Sequence, residues 1–112
     1  VKRANKYGAK PQVVDGVRFD SKRELRRWGE LQIRERAGEI SKLERQVTYV
    51  LAPSVKIEGE SRARPALRYK ADFRYVEAGQ TIVADAKGHA DEAFRIRQHL
   101  MKSVHGIDVR LS

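Results

Sequence analysis

The chain has 112 residues, enough for one packed core of ordinary size, and its 40% hydrophobic and 35% charged residues exclude the low-hydrophobicity composition of disorder. With no cysteine, disulfides and thiolate metal sites are excluded too. Lys and Arg number 24 against 15 Asp and Glu, a formal charge of +9 that points to a polyanionic partner.

Val1 to Gln12 is basic and polar, contains Gly8 and Pro11, and reads as a flexible arm, with residues 13–112 as the single folded domain. Val13-Val14-Asp15-Gly16-Val17-Arg18-Phe19 sets two short β-branched runs about Asp-Gly, the pattern of a tight hairpin. Ser21-Lys22-Arg23-Glu24 fits a Ser-x-x-Glu capping box. Leu25, Trp28, Leu31 and Gln32 follow at helical spacing and Gly38 supplies a stop, which predicts a helix over 21–37. Leu43 to Leu51 is strand-like and ends before Pro53, and Ser54 to Pro65 reads as an exposed loop or ribbon tip. Ala66 to Glu77 alternates apolar and charged residues, Ala78-Gly79-Gln80 makes a turn, and Thr81-Ile82-Val83-Ala84 suits a buried central strand, so these two segments pair as an antiparallel hairpin. Asp91 is the N-cap of a second helix with Ala93, Ile96, Leu100 and Val104 on its inner face. Gly106 closes that helix, and Ile107 to Leu111 forms a last strand parallel to the one before the helix.

The expected fold is therefore α/β, in the order helix, strand, strand, strand, helix, strand, with a mixed central sheet flanked by helices and a short N-terminal hairpin in front. No apolar run approaches the roughly 18 residues of a membrane span, and Val1-Lys2-Arg3 opens into polar sequence, so a cytoplasmic protein with no membrane partner is expected.

Carboxylates on a phosphate-binding face repel the ligand unless they hold a cation that meets the phosphate. Asp is depleted in strands, yet Asp72 and Asp85 each fall inside one strand of the predicted hairpin. Asp72 lies seven residues before Gly79 and Asp85 six after it, so the two approach each other across the ladder on one face. Opposed carboxylates repel unless a cation lies between them, and Mg²⁺ is commonly held by two carboxylates and a backbone carbonyl, here that of Ala86. Lys87 projects on the face of Asp85 and can orient or deprotonate an attacking water and offset charge on a phosphate. Gln46, on the neighbouring strand, is a further candidate to approach that water.

Asp72, then Asp85-Ala86-Lys87-Gly88, with Phe19-Asp20-Ser21-Lys22-Arg23-Glu24 on the first helix, resembles the PD-(D/E)XK nuclease superfamily, and within it a small phage-encoded branch. The likeness spans about Val13 to Leu111, with Ala71 standing where a Pro commonly precedes the first Asp. The resemblance implies a restriction-endonuclease-like core and a metal-dependent DNA endonuclease that uses Mg²⁺ or Mn²⁺. Catalysis would fall to Glu24, Asp72, Asp85 and Lys87, and metal binding to Glu24, Asp72, Asp85 and Ala86. Glu24 matches the extra helix glutamate of members that include Holliday-junction resolvases. Branched DNA is then the expected substrate, a homodimer the expected assembly and, for a phage protein, the bacterial cytoplasm the expected place. DNA contacts are expected from Lys22, Arg23, Arg64, Arg68, Lys70, His89, Arg95 and Arg97. A repair, restriction-like or recombination nuclease on flap, single-stranded or duplex DNA is the nearest alternative, and a non-catalytic basic DNA-binding module is the alternative of another class.

Overall fold

The structure is a computed structural model and describes residues 11–112. The expected N-terminal arm, apart from Pro11 and Gln12, lies outside the described residues, and Gln12 already belongs to a strand. β1 (Gln12–Val14) and β2 (Val17–Phe19) pair antiparallel about Asp15 and Gly16. The φ values there, 52° and 76°, are the positive pair that a two-residue hairpin turn of the I′ kind requires.

α1 (Lys22–Arg36) starts on Ser21, whose extended backbone and side-chain oxygen, 3.1 Å from the Glu24 N–H, cap the first turn. Glu24 reaches back to the N–H of Asp20 at 3.1 Å, one residue further out than in a standard capping box. The helix thus begins with its one first-turn acid turned inward, and Glu24 and Leu31 are its buried residues.

β3 (Ser41–Ala52), β4 (Leu67–Glu77), β5 (Gln80–Asp85) and β6 (Val109–Leu111) form one sheet in that spatial order. β3–β4 and β4–β5 are antiparallel and β5–β6 is parallel, so the sheet is mixed as expected. The turn between β4 and β5 uses Ala78 and Gly79, again both at positive φ. Between β3 and β4 the ribbon runs out to an exposed tip with an antiparallel bridge between Val55 and Arg64.

α2 (Glu92–His105) runs from Asp91, which accepts from the Phe94 N–H at 2.8 Å, to Gly106 in the left-handed conformation. Of the inner face expected, Leu100 packs against the core, but Ala93, Ile96 and Val104 are exposed. Phe94 and Met101 are buried, while Ile96 and Val104 are 54% and 52% exposed. Residues 94, 98, 101 and 105 share a helix face, and its polar members serve the sheet. Gln98 donates to the carbonyl of Val109 at 3.0 Å, and His105 Nε2 lies 2.7 Å from the carbonyl oxygen of Val50. A stripe half made of hydrogen-bonding residues does not look apolar in sequence.

Neighbouring residues on a strand point to opposite faces, so Ile82 and Val83 mark the two sides of β5. Ile82 packs with Leu31, Phe73 and Tyr75 under α1, and Val83 with Phe94, Met101 and Val109 under α2. Along β4 the buried residues change company at Asp72: Tyr69 and Ala71 join the α2 cluster, Phe73 and Tyr75 the α1 cluster. Among the described residues no helix is long and apolar enough to cross a membrane.

Candidate active site

The last pair of the β4–β5 ladder is Phe73 with Ala84, and one step further on Asp72 meets Asp85. There the backbone groups turn to the carboxylates. The Asp72 N–H donates to Asp85 Oδ1 at 2.8 Å and the Ala86 N–H donates to Asp72 Oδ2 at 2.9 Å, so each side chain satisfies the other strand's main chain. The pairs Arg45–Phe73 and Val47–Ala71 set Gln46 opposite Asp72 on the other side. Gln46, Asp72 and Asp85 thus form one row across three strands, with Glu24 brought to it by the first turn of α1.

The row is short of positive charge. Burial, then the nearby charges of Asp85 and Glu24, push the Asp72 carboxyl up to about 7, against the opposing pull of the Ala86 N–H and Lys87. Asp85, only 3% exposed, is also raised by burial and is restrained by the Asp72 N–H, Tyr69 and Lys87. Lys87 is exposed, but its charge reaches both aspartates, and its Nζ lies 5.3 Å from the centre of the Phe94 ring. The Tyr69 hydroxyl is buried beside Asp85 without good hydrogen-bond geometry to it, and burial with that neighbouring charge raises its pKa strongly.

Glu24, 2% exposed, is served differently. Its Oε1 accepts from Arg45 Nη2 at 2.9 Å and from Gln46 Nε2 at 2.8 Å, and its Oε2 takes the Asp20 N–H. Arg45 is held by the Phe19 ring, 4.1 Å from its guanidinium carbon, by Trp28 at 5.6 Å, and by a bond to the Arg18 carbonyl. Gln46 Nε2 also lies 3.5 Å from Asp72 Oδ1. Sequence reasoning missed Arg45 and Tyr69. The available signal for the first was its place beside Gln46 in the strand; at the positive φ of Gln46 the usual alternation breaks, and both side chains reach Glu24.

Among the described residues no three His, Asp or Glu side chains stand ready as a cage for a metal ion. The two aspartates converge, while Glu24 stays on Arg45 and Gln46. Their donor set still fits a hard divalent cation: carboxylate oxygens, buried at Asp85 and half-buried at Asp72, where burial and then the charges of Asp85 and Glu24 lift the carboxyl to about 7. Asp72 and Asp85 would hold such an ion, with a backbone carbonyl such as that of Ala86 as the third protein oxygen.

The expected DNA contacts divide. Lys22 and Arg23 are exposed on the first turn of α1, and the Arg23 guanidinium lies against Gly88, where an added Cβ would meet Nε at 3.5 Å. Arg23 therefore sits against the loop that carries Lys87. Arg68 and Lys70 are exposed, four and two residues before Asp72 and on its face of β4. Arg64 is on the exposed ribbon, its Nε and Nη2 donating to the two Glu60 carboxylate oxygens at 3.0 and 2.6 Å. Arg95 lines an open groove with Gln98, His99 and Lys102, apart from the acidic row, and Arg97 and His89 are exposed.

Fold and site together define a small α/β protein with two interlocked aspartates and a lysine at the open end of its central hairpin. The chain belongs to the family described as Protein of unknown function (DUF1064), whose profile matches residues 4–112. No curated protein and no solved structure gives a significant match.

Proposed function

We propose that the chain is a metal-dependent DNA endonuclease with a restriction-endonuclease-like core. The observation that carries this is the reciprocal lock of a half-buried Asp72 and a buried Asp85 within reach of the charge of Lys87, in a protein of net charge +9. Such a centre is costly to a fold and useful to a phosphodiesterase. Mg²⁺ or Mn²⁺, when bound, supplies Lewis-acid polarisation of the phosphate and acidifies water. Asp72 and Asp85 hold the ion through oxygen, the Ala86 carbonyl adds a third donor, and Glu24 supports them from α1. Lys87 sets positive charge where the phosphate gathers negative charge and helps orient the attacking water. Lys22 and Arg23 on the first turn of α1 and Arg68 and Lys70 on β4 are exposed and take the DNA backbone, with Arg64, His89, Arg95 and Arg97 as outer contacts. Branched DNA, a four-way junction above all, is the proposed substrate. Two symmetric nicks there need two sites, which a homodimer supplies.

The test is a cleavage assay on four-way junction, flap, single-stranded and duplex DNA with and without Mg²⁺. Asp85→Asn and Asp72→Asn are expected to lose cleavage by about 10³-fold, equivalent to a few kcal/mol of barrier, with DNA binding retained. Equal nicking by either variant places the chemistry elsewhere. With about six phosphate contacts the binding constant falls by roughly five powers of ten per decade of salt, and a flat response rules out the DNA-binding face.

A further inference from the structure

Gln46 occupies a backbone conformation that a strand residue normally avoids. It lies inside β3 at a φ of 55°, in the left-handed region, although pairing with β4 holds on both sides of it, Arg45 with Phe73 and Val47 with Ala71. A non-glycine residue keeps such a conformation only when its surroundings impose it, and such residues gather at functional sites. What this one achieves is the placement of its side chain. Nε2 donates to Glu24 Oε1 at 2.8 Å and leans to within 3.5 Å of Asp72 Oδ1, so one amide group touches two acids that come from α1 and β4. A side-chain amide offers two N–H donors and no net charge. Set between two carboxylates, it does weakly what a cation does strongly.

We propose that Gln46 is a positioning residue of the metal centre. Its amide ties Glu24 to Asp72 and, in the ion-free protein, holds the ground between them, so that entry of a divalent ion exchanges amide contact at Asp72 for the cation. This rests on the metal-centre reading given above and adds to it a device on β3, the one strand that contributes no acid to the row.

The test needs no DNA. Thermal unfolding in chelator and in Mn²⁺ is compared for the wild type and for Gln46→Gly, Gln46→Ala and Gln46→Glu, with Mn²⁺ affinity measured by calorimetry. Gly accepts the left-handed backbone without strain but has no amide, so it separates the two roles. In chelator Gln46→Ala and Gln46→Gly melt roughly 5 °C lower than the wild type, and Mn²⁺ restores most of that loss. Gln46→Glu adds a carboxylate at the same place. It loses more in chelator, gains more from Mn²⁺, and binds the ion about tenfold more tightly. If Gln46→Glu folds only when Mn²⁺ is added, the same conclusion holds. The proposal is overturned if the variants lose the same number of degrees in both conditions, or if Gln46→Gly matches the wild type in chelator. A wild type that ignores Mn²⁺ removes the metal-centre reading and this proposal together. A wild type that responds while the three variants follow it in parallel removes only the role of Gln46.

Discussion

Glu24 and Asp85 are buried to nearly the same degree, 2% and 3% exposed, and they belong to one acidic group, yet their surroundings differ in kind. At Glu24 a guanidinium clamped between Phe19 and Trp28 stands 2.9 Å away, and main-chain and amide donors fill the remaining directions. At Asp72 and Asp85 the close donors are two backbone N–H groups, with the Gln46 amide at 3.5 Å, and Lys87, whose charge reaches both, is exposed and rests over Phe94. Equal burial thus yields a carboxylate with its own permanent counter-charge on α1, and a pair left in want of one on the β4–β5 hairpin. The first is architecture. The second is the pair at which a divalent cation is proposed to bind.

The strongest way to break that contrast is to remove the fixed cation. Arg45→Met is expected to cost about 3–5 kcal/mol, because Glu24 then remains buried and charged without its partner. Urea denaturation of the single variant, of Glu24→Gln and of the double variant measures it. The double variant should recover much of the loss, and a single-variant cost under about 1 kcal/mol would mean that Arg45 does not neutralise Glu24.

The aspartate side of the comparison is sharpened by pH. Asp72 is raised from an ordinary carboxylate value to about 7, so between about pH 4 and 7 the folded protein holds a proton that the unfolded chain has released. Stability therefore falls as pH climbs through that window and is flat above it. The raised pKa of Asp85 acts in the same direction. The loss is on the order of 4 kcal/mol in chelator. Asp72→Asn should flatten the curve, and Mg²⁺ should stabilise the wild type more at pH 8 than at pH 5.5. A wild-type stability that rises from pH 4 to 7 in chelator would contradict the charge shortage described here.

Much of this was legible because it is local. Asp15-Gly16 and Ala78-Gly79 name their own turns, Ser21 and Asp91 their own caps, and the register of a hairpin is counted outward from its turn, which is why Asp72 and Asp85 could be matched before any coordinates. What stayed hidden depends on partners distant in the chain. Arg45 reads as a strand charge until Glu24, 21 residues earlier, folds over it. Tyr69 reads as core until the end of β5 sets Asp85 beside its hydroxyl. The inner face of α2 was misread because Gln98 and His105 take up strand carbonyls that only the assembled sheet presents.

The smallest expected effect is also a discriminating one, since the two helices begin with the same kind of cap but only one cap stands beside an acid of the centre. Ser21 accepts from Glu24 N at 3.1 Å and Asp91 from Phe94 N at 2.8 Å, so Ser21→Ala and Asp91→Ala should each lower stability by about 1 kcal/mol. Their further consequences diverge. Loosening the first turn of α1 frees Glu24 from the place in which Arg45 and Gln46 meet it, whereas loosening α2 disturbs Phe94 and leaves the carboxylates where they are. Mn²⁺ affinity should therefore weaken by a few-fold in Ser21→Ala and hold in Asp91→Ala, provided Glu24 supports the ion. Equal affinities in the two variants would leave Glu24 as a capping and pairing residue of α1 and restrict the metal centre to Asp72 and Asp85.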